Sequence, residues 1–123
     1  MSSKETVYKE VIVHRKDLKI RKGKFAAQCA HAALQGYISV NKIDSQATRD
    51  WLDQGAAKIV LGTPDEESLL ALYQKARDAG IPVCLITDAG RTEFHGVATN
   101  TCICLGPWDR NKIDKVTGTL QLL

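Results

Sequence analysis

Short apolar runs separated by helix-forming stretches constrain this chain more than any other feature. Val11-Ile12-Val13 sits inside an expected strand from Val7 to His14, and Lys58-Ile59-Val60-Leu61-Gly62 reads as a second. Continuous apolar runs of this kind mark strands covered on both faces. Between them lie an alanine-rich helix from about Lys22 to Val40 and a helical stretch from Ser45 to Gln54 that stops at Gly55. A third helix is expected to open with Thr63 as N-cap, Pro64 as first residue and Glu66 completing a capping box. Leu69, Leu72, Tyr73 and Ala76 follow at helical spacing, and Gly80 with Pro82 marks the stop. Pro82 to Thr87 is a third strand and Asn100 to Leu105 a fourth, broken by Gly106-Pro107 before a short helix from Asp109 to Val116. Such alternation predicts one α/β domain over residues 1–123: a three-layer α/β/α sandwich around a mixed, mostly parallel four-stranded sheet. Residues 1–6 are expected to be a flexible N-terminus.

Charge is informative only locally. With 17 basic and 14 acidic residues the net charge is +3, a weak overall field. Yet Lys9, Arg15, Lys16, Lys19, Arg21, Lys22 and Lys24 fall close together, opposed only by Glu10 and Asp17. Such a run is either a solvated face or the footprint of a phosphate grip. No apolar run approaches the roughly 18 residues of a membrane helix, and Met1 to Glu5 holds no apolar signal core, so a cytoplasmic protein is expected. Cys29, Cys84, Cys102 and Cys104 show no CxxC spacing and read as buried reduced thiols; Cys102 and Cys104 share one strand face. His14, His31 and His95 lack zinc-site spacing, and no metal is expected.

On a helical wheel at 100° per residue, Lys24, Gln28, His31 and Gln35 fall on a stripe roughly 60° wide. A solvent face usually carries Glu and Lys, so this stripe is either a weakly charged surface or the polar wall of a cleft. The alanines around it suit close packing on a sheet or a dimer seam. Gly23 is expected to turn the chain tightly and bring backbone amides near an anion, although the segment is not a Walker A loop. Asp88 should emerge at the carboxyl end of the third strand, the edge where open α/β sheets bind ligands. Ala89-Gly90 then gives a turn with exposed N–H groups, which Thr92 can cap. Asp88 could orient or activate water while Lys24 and the amides stabilise negative charge on an ester oxygen. The competing reading is a structural turn in which Asp88 pairs with Arg91. No G-x-S-x-G elbow is present, so water is the expected nucleophile of any hydrolase. His31 reads either as a helix–sheet boundary residue or as a site residue. Trp51 and Trp108 read as packing, with Trp108 a possible stacking surface for a base.

Taken in order, these segments resemble the class II peptidyl-tRNA hydrolase family. The carriers are Val11-Ile12-Val13, Arg15, Asp17-Leu18-Lys19, Gly23-Lys24, Ala26-Ala27-Gln28, His31-Ala32-Ala33, Trp51, Asp88-Ala89-Gly90-Arg91-Thr92, Gly106-Pro107 and Ile113 to Gly118. The resemblance implies hydrolysis of the ester between a nascent peptide and tRNA, no cofactor, and a homodimer. It further implies Lys24, Asp88 and Thr92 as catalytic, with Gln28 and His31 beside them. Substrate contacts are expected from Gln28 and His31 and, from the basic run and the two turns, from Arg21, Lys22, Gly23, Ala89, Gly90 and Arg91. The chain departs from the family pattern at Ile20-Arg21-Lys22, before Gly23-Lys24, and at Glu93 to Ala98, after Thr92. Two other readings stand beside the enzyme: a non-catalytic RNA- or protein-binding member of the same fold, and a hydrolase of small acylated nucleotides. A need for the tRNA body, visible as steep salt dependence, separates the last from the first.

Overall fold

The computed structural model describes residues 5–90 and 94–123. Its strands are β1 (Tyr8–Arg15), β2 (Lys58–Thr63), β3 (Val83–Asp88) and β4 (Thr99–Asp109); its helices are α1 (Lys22–Ile43), α2 (Ser45–Asp53), α3 (Glu66–Asp78) and α4 (Arg110–Thr117). One sheet forms in the order β2-β1-β4-β3. β1 and β2 are parallel, with Val11 opposite Ile59, whereas β4 runs antiparallel to both β1 and β3. The sheet is therefore mixed, but not mostly parallel as expected. A parallel neighbour needs a crossover, usually helical, and the described residues between Asp88 and Thr99 form no helix, so β4 returns antiparallel.

Period-two alternation sorts the strand side chains onto two faces. Val11, Val13, Leu61, Ile103 and Leu105 pack with Leu69 and Ala76 of α3 and Ile113 and Val116 of α4. Ile12, Ile86, Cys102 and Cys104 face the opposite side, against Ala32 of α1. Full burial of each such aliphatic side chain stabilises the fold by about 1.5–3 kcal/mol. α1 lies tightly on its face at Gly36, where an added Cβ would sit 2.7 Å from Glu10 Oε2, Cys104 Sγ and the Gly106 carbonyl oxygen. All four cysteines are free thiols.

Two local expectations are corrected. Thr63 does not cap α3. It is the buried last residue of β2, paired with Arg15, and its carbonyl accepts from the Lys16 N–H at 2.8 Å. Asp65, two residues on, takes the N-cap role by accepting from the Ser68 N–H at 2.9 Å. Nor does Gly106-Pro107 end β4. The strand passes through this cis peptide to pair Trp108 with Lys9 and Asp109 with Tyr8, beyond a bulge between Lys9 and Val11. Interrupted pairing at the bulge is where a residue without an N–H is tolerated.

Candidate active site

Asp88 closes β3, two residues beyond Ile86 and on the same face, toward α1. Lys24 and Gln28 lie one turn apart near the start of α1, and both reach it. Lys24 Nζ stands 2.7 Å from Asp88 Oδ1, and Gln28 Nε2 donates to the same oxygen at 3.2 Å. The other oxygen, Oδ2, accepts the Gly90 N–H at 2.7 Å. Gly90 has φ +81°, and a Cβ there would lie 2.4 Å from the Val97 carbonyl oxygen, so only glycine fits this turn.

One residue of this constellation was not expected from the sequence. Ile86 pairs with Cys102 and Thr87 with Asn100, leaving Thr101 as the extra residue of a bulge in β4. Its hydroxyl is thereby turned toward α1 and donates to Gln28 Oε1 at 2.8 Å. Thr101, Gln28 and Asp88 form a chain of hydrogen bonds in which each donor fixes the next side chain. Strand alternation conceals Thr101, because a bulge reverses the face that the pattern assigns.

The hydrogen bond from Lys24 is the strongest influence on Asp88, holding its carboxyl below the usual carboxylate range. Partial burial works against this, while the Gly90 N–H and Gln28 reinforce it. The group is therefore an anion at neutral pH. Its partner side chain is 18% exposed and its own 12%, so the pair is shielded but still open to solvent. Among the described residues no three His, Cys, Asp or Glu side chains are grouped to hold a metal ion.

The remaining expected site residues are placed less closely. Arg21, the N-cap of α1, and Lys22 are exposed beside the site. Gly23 makes no tight turn. It lies within the first turn of α1, with nothing within 4 Å of an added Cβ, which leaves the backbone open to close approach. Ala89 is exposed next to Asp88. His31 is exposed too, and the expected stripe divides. The buried line of α1 is Gln28, Ala32, Gly36 and Val40, so the sheet takes Gln28 while His31 faces outward. Gln35 turns to Ser39 at 3.3 Å. Thr92 and Arg91 lie outside the described residues. Trp108 packs against the core beneath α3 and α4, and Trp51 is buried, donating to the Ala57 carbonyl at 2.8 Å.

Comparison with known proteins follows the same lines. The family profile described as Peptidyl-tRNA hydrolase PTH2 matches residues 8–123. A relative named Peptidyl-tRNA hydrolase from Methanopyrus kandleri is 44% identical over 95% of this chain and 99% of its own length. One of the same name from Methanococcus maripaludis is 42% identical, over 95% of this chain and all of its own. The human protein named Peptidyl-tRNA hydrolase 2, mitochondrial, is 44% identical over 94% of this chain, which spans 64% of that relative's length. Every residue from the start of β1 to Leu123 falls inside the match, and the chain belongs to the PTH2 family of peptidyl-tRNA hydrolases.

Proposed function

We propose that the protein hydrolyses the ester joining a peptide, or an N-blocked aminoacyl group, to tRNA, with water as nucleophile. The observation that carries this reading is the Lys24–Asp88 pair, 2.7 Å apart at the carboxyl end of β3. An ionised carboxylate offers about four acceptor positions, and Lys24, Gln28 and Gly90 supply donors to three. The attacking water takes the fourth. Held below its usual pKa by Lys24, Asp88 is a weak base, so it orients the water and stabilises positive charge developing on it. The Lys24 ammonium is placed to stabilise the oxyanion of the tetrahedral intermediate. Thr92 braces the turn after Asp88 in this scheme, and Arg91 and Ala89 flank the substrate.

The exposed Arg21 and Lys22, with the open backbone at Gly23 and the positive end of α1, give tRNA phosphates a place to dock. His31, outward on α1, is assigned a contact with the substrate body. A homodimer forms part of the proposal. From Phe25 to Asn41, α1 carries no Lys, Arg, Asp or Glu, and its outer face exposes Ala26, Ala27, Ala30, Leu34 and Ile38. A face without charge fits self-association about a twofold axis better than solvent. Peptidyl-tRNA arises wherever ribosomes work, and the cytoplasm is the compartment proposed here.

The test is release of tRNA from N-acetyl-aminoacyl-tRNA, with unblocked aminoacyl-tRNA as control, over a range of salt. Cleavage confined to the blocked substrate, with KM rising steeply with salt, is the expected result. Folded protein that binds tRNA without cleaving it would make this chain a binding module of the same fold.

A further inference from the structure

Lys24 and Phe25 are consecutive on α1 and serve different strands. Lys24 reaches Asp88 on β3, whereas the Phe25 ring packs against the His14 ring on β1, their centroids 4.7 Å apart. β4 separates these strands, which therefore run about 10 Å apart, with Asp88 two residues further along than His14. Beside the second contact lies a groove of about 320 Å³ walled by Leu18, Ile20, Phe25 and His14 and bordered by the exposed Lys16 and Lys22.

His14 is the unusual member of this wall, because it is only 1% exposed. Its Nδ1 lies 2.9 Å from the Arg15 carbonyl oxygen, which can only accept, so Nδ1 carries the ring proton. Burial pushes the imidazole pKa down, so the ring is neutral and Nε2 is a bare acceptor. Among the described residues that nitrogen has no partner. A ligand suited to this groove is flat and apolar, offers an N–H, and carries phosphate toward the lysines. An apolar peptide side chain would leave Nε2 unpaired and give Lys16 and Lys22 no counter-charge. A nucleobase with an exocyclic amino group meets all three demands.

We infer that the groove is the subsite for the 3′-terminal adenine of the tRNA, which stacks on Phe25 and donates an amino N–H to His14 Nε2. The inference rests on the esterase reading of the neighbouring site. The scissile ester sits on the ribose of that same nucleotide, so base and ester must lie within one nucleoside of each other, and the two contacts stand only two strands apart. Nε2 is sealed from solvent beneath the half-buried Phe25 ring, so the contact requires that ring to turn aside as the base enters.

The experiment compares N-acetyl-aminoacyl-tRNA ending in adenosine with the same tRNA ending in purine riboside, which lacks only the amino group. The wild-type protein is expected to cleave both, with KM about three- to tenfold higher for purine riboside and kcat within about twofold. His14→Phe keeps a ring and removes the acceptor, so its two KM values should coincide. Phe25→Leu should raise KM for both substrates whatever the acyl group. Equal KM values in the wild-type protein overturn the subsite and leave the esterase reading intact, and this arm needs no variant to fold. A Phe25→Leu effect that follows acyl size would give the groove to the peptide instead. Cleavage of neither substrate removes both readings.

Discussion

Lys24 Nζ and Asp88 Oδ1, 64 residues apart in the chain, stand 2.7 Å from one another where the start of α1 crosses the end of β3. The contact joins a helix residue to a strand-end residue, so the whole sheet sets its geometry. Neither side chain alone would make a site; their juxtaposition holds an anion and a cation in fixed positions above a strand terminus. That arrangement is available before substrate arrives, which is the condition for electrostatic preorganisation.

Asp88→Asn tests the anion directly. The amide keeps the shape but loses the charge proposed to orient water. Whichever way it turns, its NH2 meets a donor, Lys24 and Gln28 on one side or the Gly90 N–H on the other. Single-turnover hydrolysis of N-acetyl-aminoacyl-tRNA is expected to slow by about a hundredfold or more. Binding of the tRNA, followed by fluorescence anisotropy, should change by no more than about twofold. Unchanged turnover would take Asp88 out of the mechanism.

Lys24→Met addresses the electrostatics without assaying activity. Asp88 titrates below its ordinary value chiefly because Lys24 donates to it. A carboxyl with a depressed folded-state pKa contributes stability above its unfolded pKa of about 4, which is lost as pH falls through the folded value. Removing the ammonium should move the Asp88 carboxyl titration upward in a carbon-detected NMR experiment. The acid unfolding midpoint should rise with it. An unmoved titration would mean that Gly90 and Gln28 alone set the charge.

Much of this was legible in the sequence, and the failures have physical causes. The apolar runs at Val11 to Val13 and Ile59 to Leu61 locate two strands because each packs side chains on both faces of the sheet, which leaves no polar alternation between them. Asp88 was placed at a strand end by its position after Cys84 to Thr87, and Lys24 and Gln28 by helical spacing. His31 shared that spacing yet faces outward, since the wheel gives angles between residues but not where the sheet lies. Alternation overstates the parallel share of the sheet, because it does not reveal that β4 inserts between β1 and β3. Thr101 stays hidden because a bulge is a property of two strands together, and one strand's sequence does not announce it.

Thr101→Val measures what the bulge contributes. The substitution keeps the branched shape and removes the donor to Gln28 Oε1, leaving a buried amide oxygen unsatisfied. Gln28 then loses its fixed orientation toward Asp88. We expect kcat to fall about three- to tenfold with KM nearly constant and the far-ultraviolet circular dichroism unchanged. A change confined to thermal stability would make the bond purely structural.

Leu34→Glu tests the self-association face. Leu34 is 58% exposed on the uncharged side of α1, so a carboxylate there costs a lone protomer little. In a twofold interface it would be buried, or brought close to its own copy, at a cost of several kcal/mol. Sedimentation equilibrium is expected to find a dimer for the wild-type protein and a monomer for the variant. A wild-type monomer would end the dimer proposal.

Glu10 makes the last prediction, because it is fully buried with both carboxyl oxygens unpartnered among the described residues. Burial raises its pKa from 4.5 to about 8, against smaller opposing effects from Cys104 and Lys58. The folded protein therefore keeps Glu10 protonated at neutral pH while the unfolded chain ionises it. Below the unfolded value both states are protonated and the group is neutral toward folding. As pH rises from about 4.5 toward 8 the unfolded state gains the advantage, so stability declines across that window and then levels. Glu10→Gln removes the titration while keeping nearly the same volume beneath Gly36, whose missing Cβ leaves room for the side chain. Thermal melts of the two proteins between pH 5 and pH 8.5 should diverge, the wild-type Tm falling with pH and the variant's falling less. Parallel curves would mean that Glu10 finds a partner that keeps it ionised in the folded state.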